Sequence, residues 1–433
     1  MPGIDNFSFA DLFKNLNFVE FVSLIFFALY LPRIIGYVFA FIPQKKLKND
    51  KKNKFALVIP ARNEGKTILP LLESINKQTY DRDYFDVYVI VKEKNDPVIN
   101  YAKLVKATAY VDETQTCKGD CLNYGLKKIL SDHPGVYDAF SIVDADCILD
   151  ADYFTEMNNA LSSGADVINS KKYIKNFYFG SKSDVTLAVR FNSLIWYFMD
   201  SLGNKFKSQF GITTMTITTG IVIKSHIIEK YNGWIHRNTL TEDMEFQRDC
   251  ALNDYKTMYY TPAVIYVEES PTLSETNKRR SRWMDGLTHA DFLFASRLFK
   301  KRGPKAIVNN YFMFSLWILY LYVAIMIGSF CFYGICSLLS FKSDGPMSFE
   351  MAKLSLMSLC AIYTAFFIPT FFAVVSHAKE MKLNFFTALI VLFGHPFFYM
   401  GYIPIELKAI FGRKNAAGWD EVARVSTQIE EVK

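Results

Sequence analysis

Residues 139–146 read AFSIVDAD, a short and mostly apolar run that ends in two carboxylates one residue apart, Asp144 and Asp146. Such a run, bounded by polar residues, is the mark of a strand buried on both faces. Carboxylates at a strand's carboxyl end stand where open α/β sheets bind their ligands. Two of them in that position can hold Mg²⁺ or Mn²⁺ against a diphosphate, because hard cations take oxygen ligands and keep positions open for phosphate. The metal would act as a Lewis acid on a departing nucleotide diphosphate. An Asp-x-Asp in an acidic loop is ordinarily just solvated; the apolar strand in front of Asp144 is what gives this one weight.

On either side of this segment the pattern repeats. Phe55–Ile59 (FALVI, followed by Pro60), Phe85–Val91 (FDVYVIV) and Ala107–Val111 (ATAYV) read as further strands. Thr67–Asn76 and Asn123–Leu130 carry apolar residues at helical spacing. Strands alternating with helices predict a parallel sheet, Rossmann-like in its winding.

Two polar clusters lie downstream. Thr241-Glu242-Asp243 offers a carboxylate that can take the proton from an attacking hydroxyl, and Asp243 is the candidate base. Glu242 beside it is placed to hold the acceptor or orient the base. A Thr before two acids also suits the first turn of a helix, and both roles can hold together. Arg279-Arg280-Ser281-Arg282-Trp283 offers guanidinium groups that can grip phosphate bidentately and an indole face for a sugar ring. The same run also reads as a basic membrane-proximal patch with a core tryptophan.

The flanks belong to a membrane. Phe18–Ile42 is long enough to cross the ~30 Å hydrocarbon layer, with Pro32 and Arg33 predicting a kink or an oblique helix. Six lysines and one acid follow between Lys45 and Lys54, which places that end on the cytoplasmic side and against anionic lipid. Asn310–Leu339 and Lys353–Val375 read as two more spans, separated by a polar loop around Lys342–Glu350. Leu383–Ile410, interrupted by Pro396, Gly401 and Pro404 and followed by basic residues, predicts a re-entrant or interface-lying helical pair. Leu187–Asn204 and Met284–Phe299 have the spacing of helices that lie on a membrane surface or line a soluble core.

Composition agrees with this mixture. The chain has 433 residues, 51% of them hydrophobic and 16% aromatic, and its mean hydropathy of +0.09 lies between a soluble enzyme and a transporter. No basic stripe with interleaved aromatics points to nucleic acid. None of the seven cysteines is paired by motif, and Cys117 and Cys121 lack the two further ligands of a zinc site. All seven are expected reduced. No signal-peptide pattern precedes Phe18.

The order of the segments carries a resemblance. Pro60-Ala61-Arg62-Asn63-Glu64, Asp144-x-Asp146, Thr241-Glu242-Asp243 and Arg279-x-x-Arg282-Trp283 together resemble the membrane-bound family-2 glycosyltransferases, such as the cellulose, chitin, hyaluronan and poly-N-acetylglucosamine synthases. Lys118-Gly119-Asp120-Cys121-Leu122-Asn123, the stretch from Thr219-Gly220 to Asn232-Gly233-Trp234, and Gly418-Trp419 to Arg424 are similar to further family segments. The resemblance spans Phe55 to about Gly286.

It implies an α/β GT-A cytoplasmic catalytic domain, residues 47–300, inserted between transmembrane helices in 1–46 and 301–412, with interface helices and a cytoplasmic tail at 413–433. It implies an inverting transfer from a UDP-sugar, in a multi-pass protein of the plasma membrane. Ala61, Glu64, Lys118, Asp144, Arg279 and Arg282 would bind the donor, with Asp144 and Asp146 holding Mg²⁺ or Mn²⁺. Glu93 stands near the place of the family's uridine-reading Asp. Asp243 would be the base, and Glu242, Trp283, Thr219 and Gly220 would meet the acceptor. Arg279 replaces the family's Gln in Gln-x-x-Arg-Trp, a residue that helps hold the acceptor in the synthases.

The expected reaction extends a membrane-associated polysaccharide coupled to its export, with further secretion subunits as possible partners. Addition of a single sugar to a lipid or lipid-linked acceptor, or an inactive nucleotide-sugar-binding subunit, are the alternatives. The intact carboxylates speak against the last.

Overall fold

The computed structural model describes residues 16–340 and 346–412. Its centre is one eight-stranded sheet built from β1 (Phe55–Pro60), β2 (Phe85–Val91), β3 (Thr108–Val111), β4 (Ala139–Ile142), β5 (Ile148–Leu149), β6 (Val167–Ile174), β7 (Ile221–Lys224) and β8 (Thr257–Val267), in the order β3-β2-β1-β4-β7-β6-β8-β5. Every residue of β1 is buried, so the sheet is covered on both faces. Its side chains alternate between them: Phe55, Leu57 and Ile59 pack with Leu72, Val89 and Phe154, whereas Ala56 and Val58 pack with Leu122, Leu126 and Phe140.

The sheet is not parallel throughout. β1 through β4 pair in parallel, but β7 runs antiparallel to both β4 and β6, and β5 antiparallel to β8. Alternating strands and helices describe only the first half; β7 is reached from the opposite end and needs no parallel crossover.

The helices that matter to the site are α1 (Phe18–Val38), α2 (Lys118–Asp132), α3 (Leu187–Met199), α4 (Ser201–Gln209), α5 (Glu242–Leu252), α6 (Leu273–Lys300), α7 (Pro304–Ser340), α8 (Pro346–His377), α9 (Phe385–Met400) and α10 (Tyr402–Phe411). α2 begins five residues before the expected Asn123, because the Asp120 carboxylate accepts from the Thr116 amide at 3.1 Å and its hydroxyl at 2.6 Å and so closes the first turn. This puts Lys118 at the helix start. The stretch 187–204 is two helices, broken at Asp200, whose carboxylate accepts from the Lys172 amide and the Tyr259 hydroxyl.

Four segments are long and apolar enough to cross a membrane: Phe18–Phe41, Pro304–Ser340, Met347–His377 and Phe385–Phe411. Phe26 and Tyr30 of α1 pack among Leu319, Tyr322 and Met326 of α7 and Phe366 of α8. Pro32 lies inside α1, which continues to Val38. In the last segment the break falls at Gly401; Pro396 sits within α9 and Pro404 in the first turn of α10, where a missing N–H is tolerated. The tail resemblance at Gly418–Arg424 and the loop centre at 341–345 lie outside the described residues.

Candidate active site

Most segments singled out in the sequence meet beyond the carboxyl ends of β1 and β4. β4 delivers Asp144, Ala145 and Asp146; the turn after β1 delivers Glu64; the start of α2 delivers Lys118; α5 opens with Glu242 and Asp243; α6 presents Arg279, Arg282 and Trp283. All of these line one cavity of about 760 Å³. Asp144, Asp146 and Asp243, far apart in the chain, therefore face a common space.

Lys118 ties the carboxylates together. Its ammonium lies 2.5 Å from Asp144 Oδ1 and 3.4 Å from Glu242 Oε1, and donates to Thr218 Oγ1 at 2.9 Å. The Thr218 hydroxyl in turn donates to Glu242 Oε1 at 2.8 Å. Burial works to lower the proton affinity of Lys118, but Asp144 and then Glu242 outweigh it and hold the ammonium well above its usual value. Asp243 shows the opposite balance. Its burial, then the charge of Glu242, push its carboxyl up to about 7, against the pull of Lys118 and of the Met244 amide that donates to Oδ1 at 2.9 Å. A carboxylate tuned in this way is well matched to taking a proton near neutral pH. Its exposed part opens onto the cavity it lines.

Thr241 stands just before α5, yet its side chain makes no capping bond and its hydroxyl is buried without a partner. Gly286 of α6 explains the crowding: a Cβ there would stand 2.4 Å from Thr241 Oγ1 and 2.5 Å from Cγ2. The glycine lets α6 lie directly against the start of α5, so that Arg282 and Trp283 line the cavity that Asp243 also lines.

Helical spacing sorts the arginines. Arg279 and Arg282, three residues apart, face the cavity; Arg280 points away, 3.1 Å above the Tyr402 ring. Arg279 pairs with Glu269 Oε1 at 3.2 Å and lies 4.7 Å over the Trp283 ring, and Trp283 meets Trp196 edge to face. The indole of Trp283 is thus already flanked on two sides.

Thr219 lines the cavity and its hydroxyl accepts from the Asp144 amide at 3.1 Å. Three expected residues are not among the cavity's lining. Ala61 is fully buried, its amide bonded to the Ile90 carbonyl at 2.8 Å, and its neighbour Pro60 lines the wall instead. Glu93 is exposed in the loop after β2. Gly220 takes φ +71° with Ser170 Oγ 2.3 Å from where a Cβ would be, so it serves the turn into β7.

The residues present fit a hard divalent cation held in part by its ligand. Asp144 and Asp146 share the wall, and among the described residues no cluster of three or more His, Cys, Asp or Glu could hold a metal by itself. The protein offers two carboxylates, and a diphosphate would complete the shell. All seven cysteines are free, and Cys147 Sγ lies 3.6 Å from Asp146 Oδ1.

The cavity does not stop at the sheet. It continues between Leu316, Tyr320 and Ile327 of α7, Phe366 of α8 and Glu406 of α10, with Arg33 of α1 and Lys207 of α4 on its wall. Sequence reasoning noted Arg33 only as an interruption of an apolar helix. An ionisable residue inside such a helix is in itself a signal of function. Lys207 and Glu268, the latter paired with Lys175 at 2.8 Å, carried no such signal.

Comparisons with known proteins agree with this geometry. A family model described as "Glycosyltransferase like family 2" matches residues 52–286, more than half of the chain. The probable glycosyltransferase YdaM of Bacillus subtilis (strain 168) is 22% identical over 293 residues, covering 66% of this chain and 67% of that protein. Among solved structures, the mannosyltransferase PcManGT from Pyrobaculum calidifontis, in complex with GDP-Man and Mn²⁺, superposes with a TM-score of 0.56 at 14% identity, over 91% of this chain and 99% of that one. The fold is shared with that enzyme.

Proposed function

This chain belongs to glycosyltransferase-like family 2 and transfers a hexosyl group from a nucleotide sugar; from that premise we propose an inverting transfer to an acceptor that enters from the membrane. Asp243 takes the proton of the acceptor hydroxyl as its oxygen bonds to the anomeric carbon. The bond from that carbon to the diphosphate breaks on the opposite face, and its electron pair leaves with the nucleotide. Lys118, Arg279 and Arg282 face the space where that charge develops. Asp144 and Asp146 are the residues that would hold Mg²⁺ or Mn²⁺, which when bound neutralises charge on the diphosphate. Glu242 holds the acceptor side, and Thr219 braces the Asp144 backbone.

One observation supports this reading above the rest: the carboxylates and the gap between the membrane helices are parts of a single cavity. The lysine run at Lys45–Lys54 supports a catalytic domain on the cytoplasmic side of its membrane.

The acceptor has two readings. The synthase resemblance carries a growing polysaccharide exported through the same helices. The cavity's membrane part carries Leu316, Leu321, Val323, Ile327 and Phe366 beside Tyr320, Tyr399, Tyr402 and Glu406, and the predominance of apolar wall favours a lipid-linked acceptor, since a glycan in transit needs hydroxyl partners along its path. The test is purified protein in lipid, supplied with a panel of UDP- and GDP-sugars, with nucleotide release and product size followed. A UDP-sugar that yields one glycolipid band supports the lipid acceptor, and a ladder supports the polymer. Release of UDP or GDP from no sugar would overturn the transfer reading.

A further inference from the structure

The cations of the cavity fall into two groups. Near the sheet each of Lys118 and Arg279 has a carboxylate within ion-pair distance, and Arg282 faces the charges of Glu242, Asp144 and Asp243. At the other end, Arg33 and Lys207 have none among the described residues. Lys207 is 6% exposed and its ammonium lies 5.9 Å from the centre of the Phe312 ring. The Arg33 guanidinium donates to the Ser315 hydroxyl and, at 3.5 Å, to the Phe312 carbonyl, lies 5.9 Å over the Tyr30 ring and meets Tyr37, while its Nε is buried without a partner. Arg248, the other cation near Lys207, is already neutralised by Asp291 at 2.5 Å. Glu406, the cavity's carboxylate on the membrane side, takes the Tyr320 hydroxyl at 2.7 Å. Lys207 is buried and Arg33 half-buried, both with no carboxylate beside them, an arrangement that favours an anion in the ligand.

Their level in the fold says which anion. Arg33 lies five residues before the end of α1, about 7 Å along the axis, on the side that meets the catalytic domain. There a headgroup meets hydrocarbon. From that level the cavity wall runs along α7 from Leu316 to Ile327, roughly 16 Å of apolar surface. An anion at the top of an apolar groove is the shape of a lipid phosphate.

We propose that Arg33 and Lys207 form a subsite for the phosphate of a membrane lipid, with its chain along α7, so that a phosphate-bearing lipid acceptor reaches Asp243 from the bilayer. The proposal rests on the transfer reading for its purpose, but the binding it predicts does not depend on turnover. Burial, then the charges of Arg33 and Arg248, pull the Lys207 ammonium down to about 7, so an anion beside it would also secure its charge at neutral pH.

The test is equilibrium binding to the purified full chain in detergent, with a polyprenyl phosphate, the matching polyprenol, inorganic phosphate as competitor, and UDP. Wild-type protein is expected to prefer the polyprenyl phosphate over the polyprenol by about ten-fold or more, the worth of one charge-assisted contact. Lys207→Met and Arg33→Met lose that preference, Lys207→Arg keeps it, and all three bind UDP like the wild type, which shows that they are folded. Equal binding of the two lipids by wild-type protein, an unchanged preference in both Met variants, or inorganic phosphate binding as tightly as the lipid phosphate would each overturn the subsite. Protein that distinguishes the lipids but binds no UDP keeps the subsite and unseats the UDP-sugar reading; UDP binding without lipid discrimination does the reverse.

Discussion

Asp243 is pulled in two directions, by burial and Glu242 toward the neutral acid and by Lys118 toward the anion. Replacing it with Asn should remove the base while leaving the nucleotide end intact. The expected loss in kcat is about 10²- to 10⁴-fold, with UDP affinity unchanged. A near-normal rate would hand the role to another group. The pH dependence follows from the same balance: activity should fall on the acid side of about 7, where Asp243 takes up its proton. Stability moves the other way. The native carboxyl binds its proton more tightly than the ordinary 3.8, so between about 4 and 7 the folded state keeps a proton that the unfolded chain has released, and stability declines as pH rises through that window. Asp243→Asn should therefore flatten the decline and raise Tm at pH 8, read from thermal unfolding of both proteins across pH. Asp144 and Asp146 carry a separate prediction. With only two protein carboxylates for the cation, chelation should stop turnover and added Mg²⁺ or Mn²⁺ restore it, measured as nucleotide release.

At the scale of elements, the site depends on how closely α6 approaches α5. Gly286 permits that contact, and a methyl group there would have to displace Thr241. Gly286→Ala is expected to cost about 1–3 kcal/mol of stability by overpacking, read as a lower Tm. It should also reduce kcat, because Arg282 and Trp283 ride on the same helix while Asp243 follows Thr241. UDP affinity should change less, since Lys118 and Asp144 belong to α2 and the end of β4. Loss of UDP binding equal to the loss in rate would contradict this division. The helices were only partly legible from spacing. Asn123–Leu130 shows the apolar rhythm, but the first turn from Lys118 is closed by the Asp120 side chain, which rhythm does not record. The break at Asp200 follows from its bonds to Lys172 and Tyr259 on other elements.

For the whole molecule, the arrangement predicts an orientation. The exposed lysines after α1 join the catalytic domain through contacts such as Lys51 with Asp138 at 2.8 Å, so both lie on one side of the bilayer. A cysteine at Lys48, placed in a cysteine-free background, should react with an impermeant maleimide in inverted vesicles and not in intact cells. Labelling in intact cells would reverse the orientation.

Much of this molecule could be read one residue at a time. Strand and apolar helix are local properties, set by the length and period of an apolar run, so the strands β1, β2 and β4, the helices long and apolar enough to cross a membrane and the acidic clusters are legible in the sequence. Distances between remote side chains are not local. That β7 runs antiparallel, that Ala61, Glu93 and Gly220 stay out of the cavity, and that Arg33 of the first helix shares a wall with Lys207 depend on how the elements pack, because packing and not pattern decides which charges are left facing the same space.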